Sequence, residues 1–157
     1  MYTETLVKRY LDMKQVPYEH HVHRMAYTAQ ETAEAEHVAG RMMAKTVVLK
    51  ADGHFIMAVL PAPALVDEQE LRHSIGVDFL RRASEREIQA LFADSETGAM
   101  APFGNLYGMP VYVEQSLTKN PEIIFNAGTH QDSIRMRYKD FARLVQPRVY
   151  SFAKEAA

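Results

Sequence analysis

A chain of 157 residues with 47% hydrophobic residues, 18 Lys+Arg against 20 Asp+Glu and a formal charge of −2 is expected to fold as one soluble globular domain spanning 1–157. At this length folding removes about 70% of the extended chain's surface from water, so a core forms without a metal or a crosslink. The absence of Cys excludes thiol catalysis, thiolate zinc sites and iron–sulfur clusters, and the near-neutral charge provides no global attraction to nucleic acid.

Leu6, Val7, Tyr10 and Leu11 lie at helical spacing, and Pro17 stops that helix before an extended piece, Tyr18 to His23. Glu4 and Asp12 stand among its apolar residues and no apolar run precedes a small-residue cleavage site, so the segment is not read as a signal peptide. In the extended piece His21 and His23 share one face and His20 takes the other. Two imidazoles without a third placed ligand do not make a zinc site, so structural or surface roles are expected. Thr28 followed at three residues by Glu31 has the form of a capping box, and the helix it starts is expected to end at Gly40.

Lys45 to Lys50 and His54 to Leu60 alternate and are rich in β-branched residues, with Asp52-Gly53 as the turn of a hairpin. The most apolar stretch, Phe55 to Val66, is interrupted by Pro61 and Pro63 and is far short of the roughly 18 to 20 residues that cross a bilayer. No membrane partner and a cytoplasmic location are therefore expected. Val66 to His73 and Ser84 to Phe92 read as helices, the second opened by a box of Ser84 with Glu87, and Val77 to Phe79 as a short extended piece. Gly98 to Gly108 carries three glycines and Pro102, the composition of a shaped loop, and Val111 to Val113 follows as a strand. Glu122 to Phe125 and Ser133 to Arg137 are further strands, and a last helix from Tyr138 to Val145 ends before Pro147. Helices and hairpins mix without a repeating strand-helix-strand unit, which gives an α+β fold with a mixed, largely antiparallel sheet.

Three segments carry candidate chemistry. Lys45, at the start of an apolar strand, must bring its charged head to solvent, an acid or a ligand phosphate; a snorkelling strand-end lysine fits equally well. Gly98 to Gly104 can place backbone amides around a carbonyl or its developing oxyanion, although a tight loop has the same composition. Asn126 to Asp132 adds an amide, a hydroxyl, an imidazole and a carboxylate, with His130 able to hold a water or a substrate group. No HExxH, Walker loop, dinucleotide glycine pattern or serine-hydrolase elbow occurs. Positive residues are unevenly spread, and Lys8, Arg9, Lys14, Arg24, Arg41, Lys45, Arg81, Arg82, Arg135, Arg137, Lys139, Arg143 and Arg148 could converge in space.

In this order and at about these distances, the segments resemble the YbaK/prolyl-tRNA synthetase-associated domain family, the editing-domain superfamily that hydrolyses amino acids wrongly attached to tRNA. The residues that carry the likeness are Lys45-Thr46 opening a strand, Gly98 to Gly104 with Pro102, and Asn126-Ala127-Gly128 followed by His130. The likeness extends roughly from Leu6 to Leu144.

It implies a barrel-like sheet flanked by helices, in a free-standing domain acting in trans on mischarged tRNA without a cofactor or metal. It implies a catalytic set of Lys45, Gly98 and His130: the lysine binding the tRNA terminus or the aminoacyl end, the glycine loop polarising the ester carbonyl and holding the attacking water, and the histidine shaping the pocket. Thr46, Met57, Pro102, Phe103, Asn126 and Gly128 are the implied substrate-binding residues. The implied partners are the CCA end of tRNA and, as a further candidate, an aminoacyl-tRNA synthetase. Thr46 stands where alanine-editing relatives that act on tRNA for proline tend to have asparagine, so alanine, serine, threonine, cysteine and proline all remain open as the acyl group. The alternative is a non-catalytic module of the same fold that binds aminoacyl-tRNA or a nucleotide-like ligand, and a second rival is a hydrolase of simple esters.

Overall fold

The computed structural model describes residues 6–155, and Glu4 of the amino-terminal reading lies outside them. Helix α1, Leu6–Met13, buries Val7 and Leu11 and leads through Gln15 into strand β1, Glu19–Val22. Thr28 caps α2, Ala29–Ala35, its hydroxyl accepting from the Glu31 N–H at 3.0 Å. The Glu31 carboxylate takes the Thr28 hydroxyl instead of the cap amide, so half of the expected box forms. Nor does Gly40 end the helix: Glu36 caps it, and Gly40 opens a separate 3-10 turn, Gly40–Met42. Close approach explains this glycine, since a Cβ there would stand 2.9 Å from Pro63 Cγ.

Strands β2, Ala44–Ala51, and β3, His54–Pro61, form the expected hairpin, paired from Ala44 with Pro61 to Ala51 with His54. A short β4, Ala64–Val66, precedes α3, Glu68–Ile75, which is capped by Asp67. The extended piece expected at 77–79 falls instead at β5, Leu80–Arg82, because the Asp52 carboxylate accepts the N–H groups of Asp78 and Phe79 and holds them as a turn. Helix α4, Glu85–Leu91, opens with the full Ser84 and Glu87 box. Then follow β6, Val111–Glu114; β7, Glu122–Asn126; β8, Asp132–Arg137; and α5, Tyr138–Val145. Two strands that the sequence did not reveal end the described chain: β9, Arg148–Tyr150, and β10, Ala153–Glu155.

One sheet has the order β5-β2-β3-β6-β9, with β6 parallel to both β3 and β9; a second, β1-β8-β7, is antiparallel, and β10 pairs with β4. The fold is thus α+β with a mixed, mostly antiparallel sheet. Alternation along β3 sends Met57 and Val59 into one cluster with Phe103, Phe125 and Phe141, and Ile56, Ala58 and Leu60 into another with Leu71 and Phe152. A strand buried on both faces is the rigid floor from which the site is built. Buried Glu114 ties the carboxy-terminal strands to β6 by accepting the Phe152 N–H at 3.1 Å and the Ala153 N–H at 3.3 Å. Burial alone would raise its carboxyl pKa; these bonds and those from Ser116 outweigh it and hold the group below its ordinary value. Among the described residues no helix is long and apolar enough to cross a membrane.

Candidate active site

Lys45 lies one residue into β2, opposite Leu60 on β3. It is partly buried and has no acid partner among the described residues. Burial, and secondarily the positive charge of Arg82, lower the pKa of its ammonium below the ordinary 10.5. Thr46 turns to the other face of the strand, opposite Val59, and its Oγ1 is buried without a hydrogen-bond partner. The strand opening therefore presents an uncompensated cation and an uncompensated hydroxyl, both of which cost stability as they stand.

The second segment reaches this position through the sheet. A parallel bridge between Met43, just before β2, and Ile124 of β7 brings the start of β2 beside the end of β7, with Lys45 and Asn126 each two residues beyond the bridge. Asn126 is buried, and its Oδ1 accepts from the Thr32 hydroxyl of α2 at 3.3 Å.

The third segment is locked to the second by backbone hydrogen bonds. Gly128 N–H donates to Ala99 O at 2.9 Å, and Gly128 O accepts from Glu96 N–H at 2.7 Å. Gly98 (φ 88°) and Gly128 (φ 99°) both take backbone conformations that L side chains rarely adopt. His130 fills the angle between the loops: its Cε1 would stand 3.5 Å from a Cβ on Gly98, and its backbone N–H donates to Glu96 Oε1 at 2.6 Å. Its ring nitrogens face two carbonyl oxygens, Nδ1 that of Ala26 at 3.2 Å and Nε2 that of Thr97 at 2.9 Å. With each ring nitrogen against a carbonyl oxygen, the imidazole sits between two stretches of backbone and does not present an open nitrogen to a water. Met100 Sδ accepts from Gly98 N–H at 3.2 Å, whereas the N–H groups of Met100 and Ala101 meet no protein acceptor among the described residues.

Lys45, Thr46, Gly98, Asn126, Gly128 and His130 thus belong to one end of the sheets and the two loops joined there. Pro102 is buried just beyond them. Met57 and Phe103, expected to contact substrate, do not line the site: both have no exposed surface, and the Phe103 ring packs 5.6 Å from Phe125 and 5.4 Å from Phe141, centroid to centroid. They act from beneath as core. A shallow cleft of about 390 Å³ lies at the opposite end of the hairpin, between Lys50, Asp52, Gly53, Phe79, Leu80 and Arg81, and contains none of the expected site residues. Three contributors escaped the sequence reading: Ala26 through its carbonyl, Glu96 through its carboxylate, and Tyr27, whose ring lies 5.2 Å from that of His130. A backbone carbonyl leaves no sequence signal at all. The three histidines of the β1 region turn to carboxylates: His20 to Asp132 at 2.7 Å, His21 to Glu36 at 2.9 Å and Glu19 at 3.0 Å, and His23 toward Glu36 at 3.9 Å.

The profile of the aminoacyl-tRNA editing domain matches residues 23–144, which takes in all three segments. The chain belongs to the aminoacyl-tRNA editing domain family. Solved structures share this editing-domain fold along nearly the whole chain. One, described as a putative trans-editing enzyme for prolyl tRNA synthetase, aligns with a TM-score of 0.82 at 20% identity over 94% of both chains. A protein described only as hypothetical aligns at 0.85 and 13% identity over 94% of this chain and 99% of that one. A scaffold from computational epitope grafting aligns at 0.81 and 20% identity over 96% of both. At these identities the likeness is one of fold. No curated protein matches the sequence.

Proposed function

We propose that this editing domain is a trans-acting aminoacyl-tRNA deacylase that hydrolyses the ester of tRNA mischarged with a small amino acid. The observation that carries the reading is Lys45: a partly buried cation without an acid partner among the described residues, at the strand end where two glycine loops are locked together. A terminal phosphate or the aminoacyl end of tRNA is a ligand that compensates such a charge. Family membership supports a tRNA substrate, and the fold shared with a protein described as a trans-editing enzyme supports action as a separate chain. A synthetase partner and the cytoplasm follow from the same reading.

In the proposed reaction Lys45 fixes the tRNA end and the ester carbonyl enters the Gly98 loop. The N–H groups of Met100 and Ala101, which meet no protein acceptor among the described residues, are available donors to the oxyanion. Water adds to the carbonyl carbon, the bond from that carbon to the ribose oxygen breaks, and the ribose oxygen leaves with a proton. No side-chain nucleophile takes part, and a hydroxyl of the terminal ribose assists in activating the water. His130 is a positioning residue that holds Thr97 and Ala26 apart. Thr46 Oγ1 is the group available to a polar substituent on the acyl chain.

Release of amino acid from a panel of correctly and wrongly charged tRNAs tests the reading. Rapid release from one mischarged species, falling to the uncatalysed rate in Lys45→Ala while that variant stays folded, is the expected result. Binding of aminoacyl-tRNA without release from any species would overturn it in favour of a binding module. Equal rates on small activated esters would identify a generic esterase.

A further inference from the structure

Tyr27 is 66% exposed although it stands directly against the site. Its ring lies 5.2 Å from His130, tilted by 47°, and His130 in turn packs on Gly98. The position is fixed from both sides: the N–H of Ala26 donates to the His130 carbonyl oxygen at 3.1 Å, and Thr28 is anchored as the cap of α2. An aromatic ring on rigid backbone, with one side leaning on the site histidine and the rest in water, is a surface held ready for a flat ligand. No hydrogen bond from the Tyr27 hydroxyl occurs among the described residues, so nothing polar in the protein accounts for its placement.

We propose that Tyr27 is the platform on which the terminal nucleobase of the tRNA stacks, a role that rests on the deacylase reading above. The geometry favours the base over the acyl group. The ester carbonyl belongs at the Gly98 loop, and the base lies one ribose away from it, which is the relation of Tyr27 to Gly98 across His130. A small acyl chain would not cover a ring that is two-thirds exposed, whereas a nucleobase would. Base–aromatic stacking is sequence-tolerant, because every base has a π-face, and adds to whatever electrostatic attraction the chain supplies. Among the described residues the other strongly exposed aromatic residue, Phe79, lies at the far end of the hairpin, in the cleft away from the loops.

Stacking acts on the ground state and the transition state alike, so it lowers KM and leaves kcat in place. The test uses an RNA microhelix ending in CCA whose terminal adenine is replaced by fluorescent 2-aminopurine, and a second microhelix with an abasic terminal ribose. The native protein and Tyr27→Phe are expected to quench the fluorophore on binding. Tyr27→Leu is expected to bind about ten-fold more weakly without quenching, and to raise KM for deacylation by a similar factor at unchanged kcat. The abasic microhelix should lose the same factor with the native protein and nothing further with Tyr27→Leu, because the two changes remove one interaction. The unfolding temperature of Tyr27→Leu should match the native one, since the ring is exposed. Native affinity and KM in Tyr27→Leu, with the native protein active, would overturn the stacking role and leave the deacylase standing. A Tyr27→Leu change in sedimentation without any change in RNA affinity would likewise overturn it and mark the ring as a contact between copies. If the native protein neither binds the microhelix nor releases amino acid, the deacylase reading fails and this role falls with it.

Discussion

Lys45 places stability and function in opposition. Its ammonium is partly buried, it lies within the field of Arg82, and its pKa is lowered for those two reasons in that order. A folded-state pKa below the unfolded one means that the charged form is disfavoured by folding, so the penalty is present at neutral pH and is relieved as pH rises through the folded value. Lys45→Met, which keeps the apolar stem and removes the charge, is expected to unfold at the native temperature or higher while deacylation drops to the uncatalysed rate. A lower unfolding temperature would show that the lysine stabilises the strand. The same sign governs binding: affinity for a non-hydrolysable aminoacyl-tRNA analogue should decline on the alkaline side at a pH below 10.5, and Lys45→Arg should move that decline upward. Lys45 was legible in the sequence because a charge opening an apolar strand is anomalous wherever it occurs. Met57 and Phe103 were not, because an apolar residue beside a loop has the same sequence character whether it lines a pocket or fills a core. Only the all-round burial of β3 and the three-ring contact of Phe103 decide the matter.

Strand β1 is the edge of its sheet, and the segment it carries supplies Ala26 and Tyr27 to the site. A four-residue edge strand needs more than its ladder, and two histidine–carboxylate pairs hold it. The hydrogen bonds from Glu36 and then Glu19 raise the pKa of His21 against the opposing effect of burial. Burial would raise the Glu36 carboxyl, yet its bonds from Ser133 and His21 prevail and lower it. The contribution of His21 is therefore complete below its unfolded value of 6.5 and is lost as pH climbs through the higher folded value. That of Glu36 is complete above its unfolded value of 4.5 and is lost as pH falls through the lower folded one. Between 4.5 and 6.5 both act in full. Amide exchange in residues 20–26, corrected for intrinsic rates, should be slowest in that window and speed up on the alkaline side, and His21→Gln should remove the alkaline dependence. A flat profile in the native protein would show that the ladder to β8 suffices. Elements with their own local code, the hairpin and the Ser84 box, were readable from sequence. Strands β9 and β10 were not, since three residues such as Arg148-Val149-Tyr150 become a strand only by lying beside β6.

At the scale of the whole molecule, several of the positive residues are engaged by carboxylates of the same chain. Arg81 is held by Glu87 at 2.9 Å, Arg135 by Glu122 at 2.9 Å, Arg137 and Arg143 by Asp140 at 3.1 and 3.3 Å, and Arg82 by Glu68 at 3.6 Å. These five arginines are thus engaged in intramolecular pairs, a fact that composition could not reveal because pairing depends on which strands and helices adjoin. Lys45 has no such pair among the described residues and, in the proposed reading, is the cation at the site that meets the nucleic acid. Each phosphate neutralised by a protein cation contributes about −0.7 to −0.9 to the slope of log affinity against log salt. A domain that engages one or two phosphates at the acceptor end should therefore show a slope of about −1 to −2, and should bind a CCA-ended microhelix within a few-fold of full-length tRNA. Titration of both RNAs from low to physiological salt measures this. A slope steeper than about −5 would require about six or more phosphate contacts in all, and hence cations besides Lys45 at the RNA. The shallow slope instead leaves tRNA identity to be read by chemistry at the acceptor end, or to be supplied by a partner that delivers the tRNA.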